Sequence, residues 1–128
     1  MKTKPIYISD LHFEHKLWKS QLEFQRDELK SFNRRLEEVV VRWTDKDILS
    51  NIEKYQNNFI RHNEVIDTLL HEIGVQENKL TAFAINHPIA IDHVHFDDHS
   101  EMRESVETQQ TIYNKLKKEF MRFLTVAM

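Results

Sequence analysis

Apolar residues recur along most of the chain at alternating steps of four and three residues, a spacing that predicts long amphipathic helices. Between about residues 10 and 43, eight of ten successive positions at this spacing are apolar. We refer to positions of this kind as the seam. In the first predicted helix the seam consists of Leu11, His15, Trp18, Leu22, Gln25, Leu29, Phe32, Leu36, Val39 and Trp43.

The same spacing returns between about residues 46 and 87, and again between about residues 99 and 127. The second helix carries its seam at Ile48, Ile52, Tyr55, Phe59, His62, Ile66, Leu69, Ile73, Gln76, Leu80, Phe83 and His87. The third helix carries its seam at Met102, Val106, Gln109, Tyr113, Leu116, Phe120, Phe123 and Ala127. The pattern stays in phase across Gly74, which favours a continuous second helix. A break at Gly74 would instead give a bundle of four helices.

Residues suited to helix ends flank these segments. Ser9 or Asp10 can cap the first helix, and Thr44 or Asp45 the second. Pro88 is expected to end the second helix. Asp98 followed by Glu101 predicts a capping box at the start of the third helix, after a connection at 88–98. Because the links are short, neighbouring helices should be antiparallel. The predicted fold is all-α, a single domain (1–128) forming an elongated up-down bundle of three helices.

The few polar residues on the seam align when the predicted helices are folded against one another. Gln25 falls opposite His62, while His15 falls near Gln76 and Gln109. This alignment predicts two interior polar layers. One interpretation is a ligand site inside the bundle. The favoured interpretation is that hydrogen bonds between these residues fix the register of the helices, as a buried asparagine does in coiled coils.

Composition narrows the classes of function. One glycine and two prolines in 128 residues argue against folds that need many tight turns. The absence of cysteine excludes disulfides and thiolate sites, and it agrees with a reducing compartment. The net charge of −3 disfavours nucleic-acid binding. No apolar run has the length of a membrane span, so the expected location is the cytoplasm.

A histidine-rich segment in the connection between the second and third helices offers the first functional hypothesis. If residues 93–95 are extended, His93 and His95 project to the same side. Asp97 (or Asp98) and His99 would complete a set of ligands for zinc or a similar divalent transition metal. The alternative is a capping loop whose polar residues face water.

A second pair of histidines lies within the first helix. His12 and His15 are three residues apart and could chelate a metal, but no carboxylate shares the seam with them. The Glu-x-x-His step of ferritin-like di-iron bundles is not found at Glu14, Glu64 or Glu72. Since no catalytic base or nucleophile stands out either, a non-catalytic role is favoured over the alternative of an enzyme with its site at the connection between the second and third helices.

The first helix also carries a second apolar stripe, Phe13, Leu17 and Phe24, roughly opposite its seam. Either residues 4–8 or 89–96 cover this stripe, or it is an interface for a homodimer or a helical partner. The leading hypothesis for function is therefore an interaction or scaffolding bundle. The alternative is a metal-binding or metal-sensing bundle that uses residues 87–99.

Overall fold

The computed structural model describes residues 7–87 and 93–128, with the backbone alone for residues 93–96. This part of the chain forms three helices in the order α1 (Ile8–Val40), α2 (Lys46–Ala84) and α3 (His93–Ala127). Together they contain 91% of the described residues. The helices pack side by side as an antiparallel up-down bundle, which confirms the predicted all-α fold.

Helix α2 begins at Lys46 and α3 ends at Ala127, as predicted, whereas the other four helix ends differ from the predicted ones by two to six residues. Helix α1 begins at Ile8 after Tyr7, which makes no side-chain cap, so Ser9 and Asp10 lie inside the first turn. Helix α2 is capped as expected, because Asp45 Oδ1 accepts from the N–H groups of residues 47 and 48 at 2.9 and 3.2 Å. It ends at Ala84, before Pro88, which lies outside the described residues.

Helix α3 begins at His93, several residues before the predicted capping box at Asp98 and Glu101. Residues 93–98 contain neither glycine nor proline, so the helical hydrogen-bond ladder meets no barrier there. The connection is therefore shorter than predicted. As a result, residues 93–98 of the predicted connection are helical.

The seam forms the core of the bundle. Its buried apolar residues on all three helices make one long cluster that begins at Trp18 and extends to Ala127. A small second cluster of Ile8, Leu11 and Leu80 lies at the other end of the bundle. Between the two clusters along α1 lies the buried seam residue His15. The buried polar residues of the described chain are thus confined to a few levels of the bundle.

Helix α2 runs without interruption through Gly74. The favoured continuous helix is therefore correct, and the fourth helix considered as its alternative does not form. At the far end, the Trp43 indole N–H donates to the carbonyl oxygen of Ala127 at 2.7 Å. This bond fixes the link between α1 and α2 against the end of α3. None of the described helices is both long and apolar enough to cross a membrane.

Candidate metal centre

Three metal-ligating side chains converge near the end of the bundle where α1 begins. His12 and His15 lie one turn apart on α1, so both project toward α2. On α2 the carboxylate of Glu77 contacts both histidines. One of its oxygens contacts His12 Nδ1 and the other contacts His15 Nδ1. Glu77 follows the seam residue Gln76, and its long side chain reaches α1 from beside the seam.

The donor atoms of this group have the composition of a metal site, and their spacing is slightly wider than in one. The two nitrogens and the carboxylate oxygen all lie within 4.8 Å of one another. Ligands bound at about 2.1 Å to one ion lie no more than about 4.2 Å apart, so a small side-chain shift brings the set to coordination distance. Two imidazoles and one carboxylate are ligands of Zn²⁺ and of non-haem Fe²⁺.

The site is buried on one side and open on the other. The His15 side chain is 4% exposed, while His12 and Glu77 are 31% and 35% exposed. In a metal complex, His15 would therefore be the ligand held in place by the packing of the seam. An ion could reach the group from solvent past His12 and Glu77, and the remaining coordination positions would face water.

A second polar group from α3 lies directly behind His15. The rings of His15 and His99 have centroids 5.0 Å apart, and His99 also packs on Trp18 at 4.7 Å. His99 Nε2 lies 3.0 Å from Glu14 Oε1, and Arg103 Nε donates to Glu14 Oε2 at 2.9 Å. This arrangement links α1 to α3 at the same level at which Glu77 links α1 to α2.

Electrostatics at this second group favour an ionised carboxylate beside a neutral imidazole. Hydrogen bonding to Arg103 is the main cause that lowers the pKa of Glu14, and the bond to His99 acts in the same direction. Burial lowers the pKa of His99, partly offset by Glu14. His99 is therefore neutral near pH 7, with its Nε2–H donating to Glu14 and its Nδ1 lone pair free of a proton.

The structure does not bring the histidine-rich segment together as an extended loop. His93 and His95 lie in the first turn of α3, where positions two apart are separated by about 200° around the helix axis. The extended geometry behind that prediction is therefore wrong, and the two side chains lie outside the described ones. Asp97 and Asp98 are exposed, whereas His99 is buried toward α1.

The predicted polar layer around Gln25 and His62 forms, with an additional member. Gln109 Nε2 donates to Gln25 Oε1 at 3.2 Å and to His62 Nδ1 at 2.9 Å. One residue from each helix thus joins a single buried network. Gln25 Nε2 extends it by donating to Gln110 Oε1 at 2.8 Å.

The predicted placement of Gln109 beside His15 and Gln76 is wrong. Because α3 begins at His93, the midpoint of the connection falls earlier in the chain than predicted, and Gln109 meets the level of His62 instead. Gln76 remains near His15, since both line one small cavity. Its Nε2 donates to the backbone oxygen of Asp98 at 3.2 Å.

The second apolar stripe of α1 is exposed. Phe13 and Phe24 retain 66% and 61% of their accessible surface, and Leu17 retains 44%. The two segments considered as covers for this stripe, residues 4–8 and 89–96, fall almost entirely outside the described residues and side chains.

Glu77 and Arg103 did not stand out in the sequence, while Glu14 and His12 were considered there and assigned to no site. The signal for Glu77 was present, because the predicted register already placed His15 opposite residues near 74–76. Only carboxylates on the seam were considered, whereas a glutamate one position away has the reach to bind. The burial of His99 could also have been predicted. It lies three residues before Met102, so it continues the seam toward the start of α3.

Comparison of this chain with known protein families, with curated proteins and with solved structures finds no match. The candidate centre is therefore interpreted from its own chemistry.

Proposed function

We propose that this protein is a metal-binding helical bundle that holds one divalent transition-metal ion, with zinc as the first candidate, through His12, His15 and Glu77. The observation that carries the proposal is the convergence of two imidazole nitrogens and a carboxylate from two helices within 4.8 Å. We propose this site in preference to the one predicted at residues 87–99, within the metal-binding function that the sequence offered as its alternative.

The ligands come from parts of the chain that are far apart in sequence. His12 and Glu77 are separated by 65 residues, so the ion would fasten α1 to α2 at the end of the bundle. Binding to the folded state alone adds to stability by mass action, about 2.7 kcal/mol at a free metal concentration 100 times Kd. The expected behaviour is a metal-stabilised bundle whose affinity falls when the histidines protonate.

The test is zinc titration of tag-free protein by isothermal calorimetry, with elemental analysis of the purified chain. We expect one ion per chain and at least a tenfold weaker affinity in His12→Ala and in Glu77→Gln. His71→Ala is the matched control, because His71 is an exposed histidine of α2 outside the group. A joint His93→Ala and His95→Ala variant tests the earlier location and should bind like the wild type.

The outcome that contradicts the proposal is equal zinc affinity in the wild type and in Glu77→Gln. If the variant at positions 93 and 95 loses zinc binding while Glu77→Gln keeps it, the metal site lies at the start of α3 instead. Both variants of the proposed site change half-exposed side chains, so circular dichroism should show that the helices remain intact.

A second candidate function, self-association, has its own supporting observation. The exposed stripe of Phe13, Leu17 and Phe24 follows the 4-3-4 spacing of a helix-pairing face, with Ser20 at the remaining position. Two copies of α1 in antiparallel contact would place Phe13 of each copy against Phe24 of the other. Such a face is self-complementary, which a symmetric homodimer requires. The interaction role inferred from the sequence is proposed here in that form.

A further inference from the structure

Two buried imidazole nitrogens beside the candidate metal centre lack a hydrogen-bond partner among the described residues. They are Nε2 of His15 and Nδ1 of His99. The two side chains are 4% and 2% exposed, and their rings are neighbours. A buried polar atom without a hydrogen bond destabilises the fold, so each of these nitrogens is expected to have a partner such as a water molecule.

Both histidines line the same cavity of about 20 Å³. A cavity needs roughly 10–15 Å³ to hold one water molecule, together with two to four polar partners. Apolar walls are supplied by Leu11 and Leu80, and a third polar partner is supplied by Gln76. The volume is enough for one water molecule.

We propose that one buried water molecule hydrogen-bonds to both His15 and His99. Through this water, His99 and its partner Glu14 hold the ring of the metal ligand His15 in position. The inference rests on the proposed function for its effect on metal binding, whereas the water site itself does not depend on a metal. His99 is a positioning residue in this account, because it acts on the metal only through the water and His15.

The hydrogen-bond directions are consistent in the metal-bound state. When Nδ1 of His15 binds the ion, its proton must lie on Nε2, which donates to the water. The water donates to Nδ1 of His99, whose Nε2–H donates to Glu14, and Arg103 neutralises that carboxylate. Metal-bound histidines usually donate their second N–H in this way, and loss of such partners typically costs a factor of 10–100 in metal affinity.

The directions are also consistent without a metal. His15 then donates from Nδ1 to Glu77, and its Nε2 becomes an acceptor. The water donates one hydrogen to His15 and the other to His99. Metal binding would therefore move the His15 proton from Nδ1 to Nε2. The water would then accept a hydrogen bond from His15 instead of donating one, while the tautomer of His99 stays the same.

The experiment compares His99→Phe with His99→Gln. Phenylalanine keeps a ring against Trp18 but removes both nitrogens, whereas glutamine offers an amide oxygen to the water and an N–H to Glu14. We expect zinc affinity to fall 10–100-fold in His99→Phe and to stay within about threefold of the wild type in His99→Gln. Equal affinity in wild type and His99→Phe would overturn the role of His99 while leaving the metal site intact.

Nuclear magnetic resonance of the wild type measures the water contact and the histidine tautomers directly. The water contact is not expected if His99 only fills space in the core. Without zinc, His99 ring protons should show cross-relaxation with a long-lived water, and the long-range ¹⁵N pattern should show the Nδ1–H tautomer for His15. Zinc should convert His15 to the Nε2–H tautomer and leave His99 as Nε2–H. Absence of the water contact in the zinc-free protein overturns the water site, even if zinc fails to bind.

Discussion

At the scale of single residues, the polar side chains on the seam act through specific directions of hydrogen bonding. Each Gln109 amide hydrogen has its own acceptor, one on Gln25 and one on His62. The acceptor on His62 is the lone pair of Nδ1, which exists only while the ring is neutral. Burial lowers the pKa of His62 and so keeps the ring in this form.

This dependence predicts a loss of stability in mild acid. The folded-state pKa of His62 lies below its ordinary value of 6.5, so the unfolded chain takes up the proton first. The stabilising effect of the neutral ring is complete at pH values well above 6.5 and declines as the pH falls through 6.5 toward the lower folded-state pKa. We expect His62→Gln, which keeps an acceptor for Gln109, to remove about 1 kcal/mol of this decline.

The measurement is urea denaturation of wild type and His62→Gln at intervals from pH 8 to pH 5. The difference between the two proteins should be constant above about pH 7 and should shift in favour of the variant at lower pH. Parallel stability curves over the whole range would show that His62 does not titrate in the way inferred. His71→Gln is the control for loss of an exposed histidine.

At the scale of helices, the periodic seam was enough to predict three elements because burial of an apolar stripe is a local property of the sequence. Long-range features were harder to predict. The placement of Gln109 depended on the midpoint of a connection, and an early start of α3 moved it by several turns. Glu77 and Glu14 lie beside the seam, where periodicity gives no reason to choose them over other surface glutamates.

The continuous helix α2 predicts a stabilising substitution at Gly74. A side-chain carbon added at this position would meet nothing within 4 Å, and the residue is exposed. Alanine restricts the unfolded chain and favours the helix, so Gly74→Ala should raise the free energy of unfolding by about 0.5–1 kcal/mol. Thermal denaturation should show a higher Tm, and a lower Tm would mean that α2 needs flexibility at this turn.

At the scale of the whole molecule, the chemistry of the bundle is uneven along its length. The end near Trp43 is apolar and closed by the bond to Ala127, whereas the end near His15 carries the polar groups that link α1 to both neighbours. The exposed stripe of α1 lies along this polar half. Metal binding and self-association would therefore involve the same half of the molecule.

Self-association predicts a change in mass on removal of the stripe. Phe13→Glu combined with Phe24→Glu should convert a dimeric wild type into a folded monomer, because each substitution places a charge at the centre of the proposed contact. Sedimentation velocity at several concentrations measures the outcome. A wild type that is monomeric at high concentration would contradict the dimer. The control pair is Ile60→Glu with Ile112→Glu, exposed positions on the other two helices.

The packing of Trp18 gives the protein a built-in optical probe. Its indole lies 4.7 Å from the His99 ring and 5.7 Å from the His15 ring, so a paramagnetic ion such as Cu²⁺ at the centre would quench its emission. Trp43 lies beyond Val40, the last residue of α1, which is 22 positions from Trp18 and so about 33 Å away at the helical rise, and Trp43 would report little of the same event. With Trp43→Phe, the fluorescence of a single tryptophan would follow occupancy of the site in unlabelled protein.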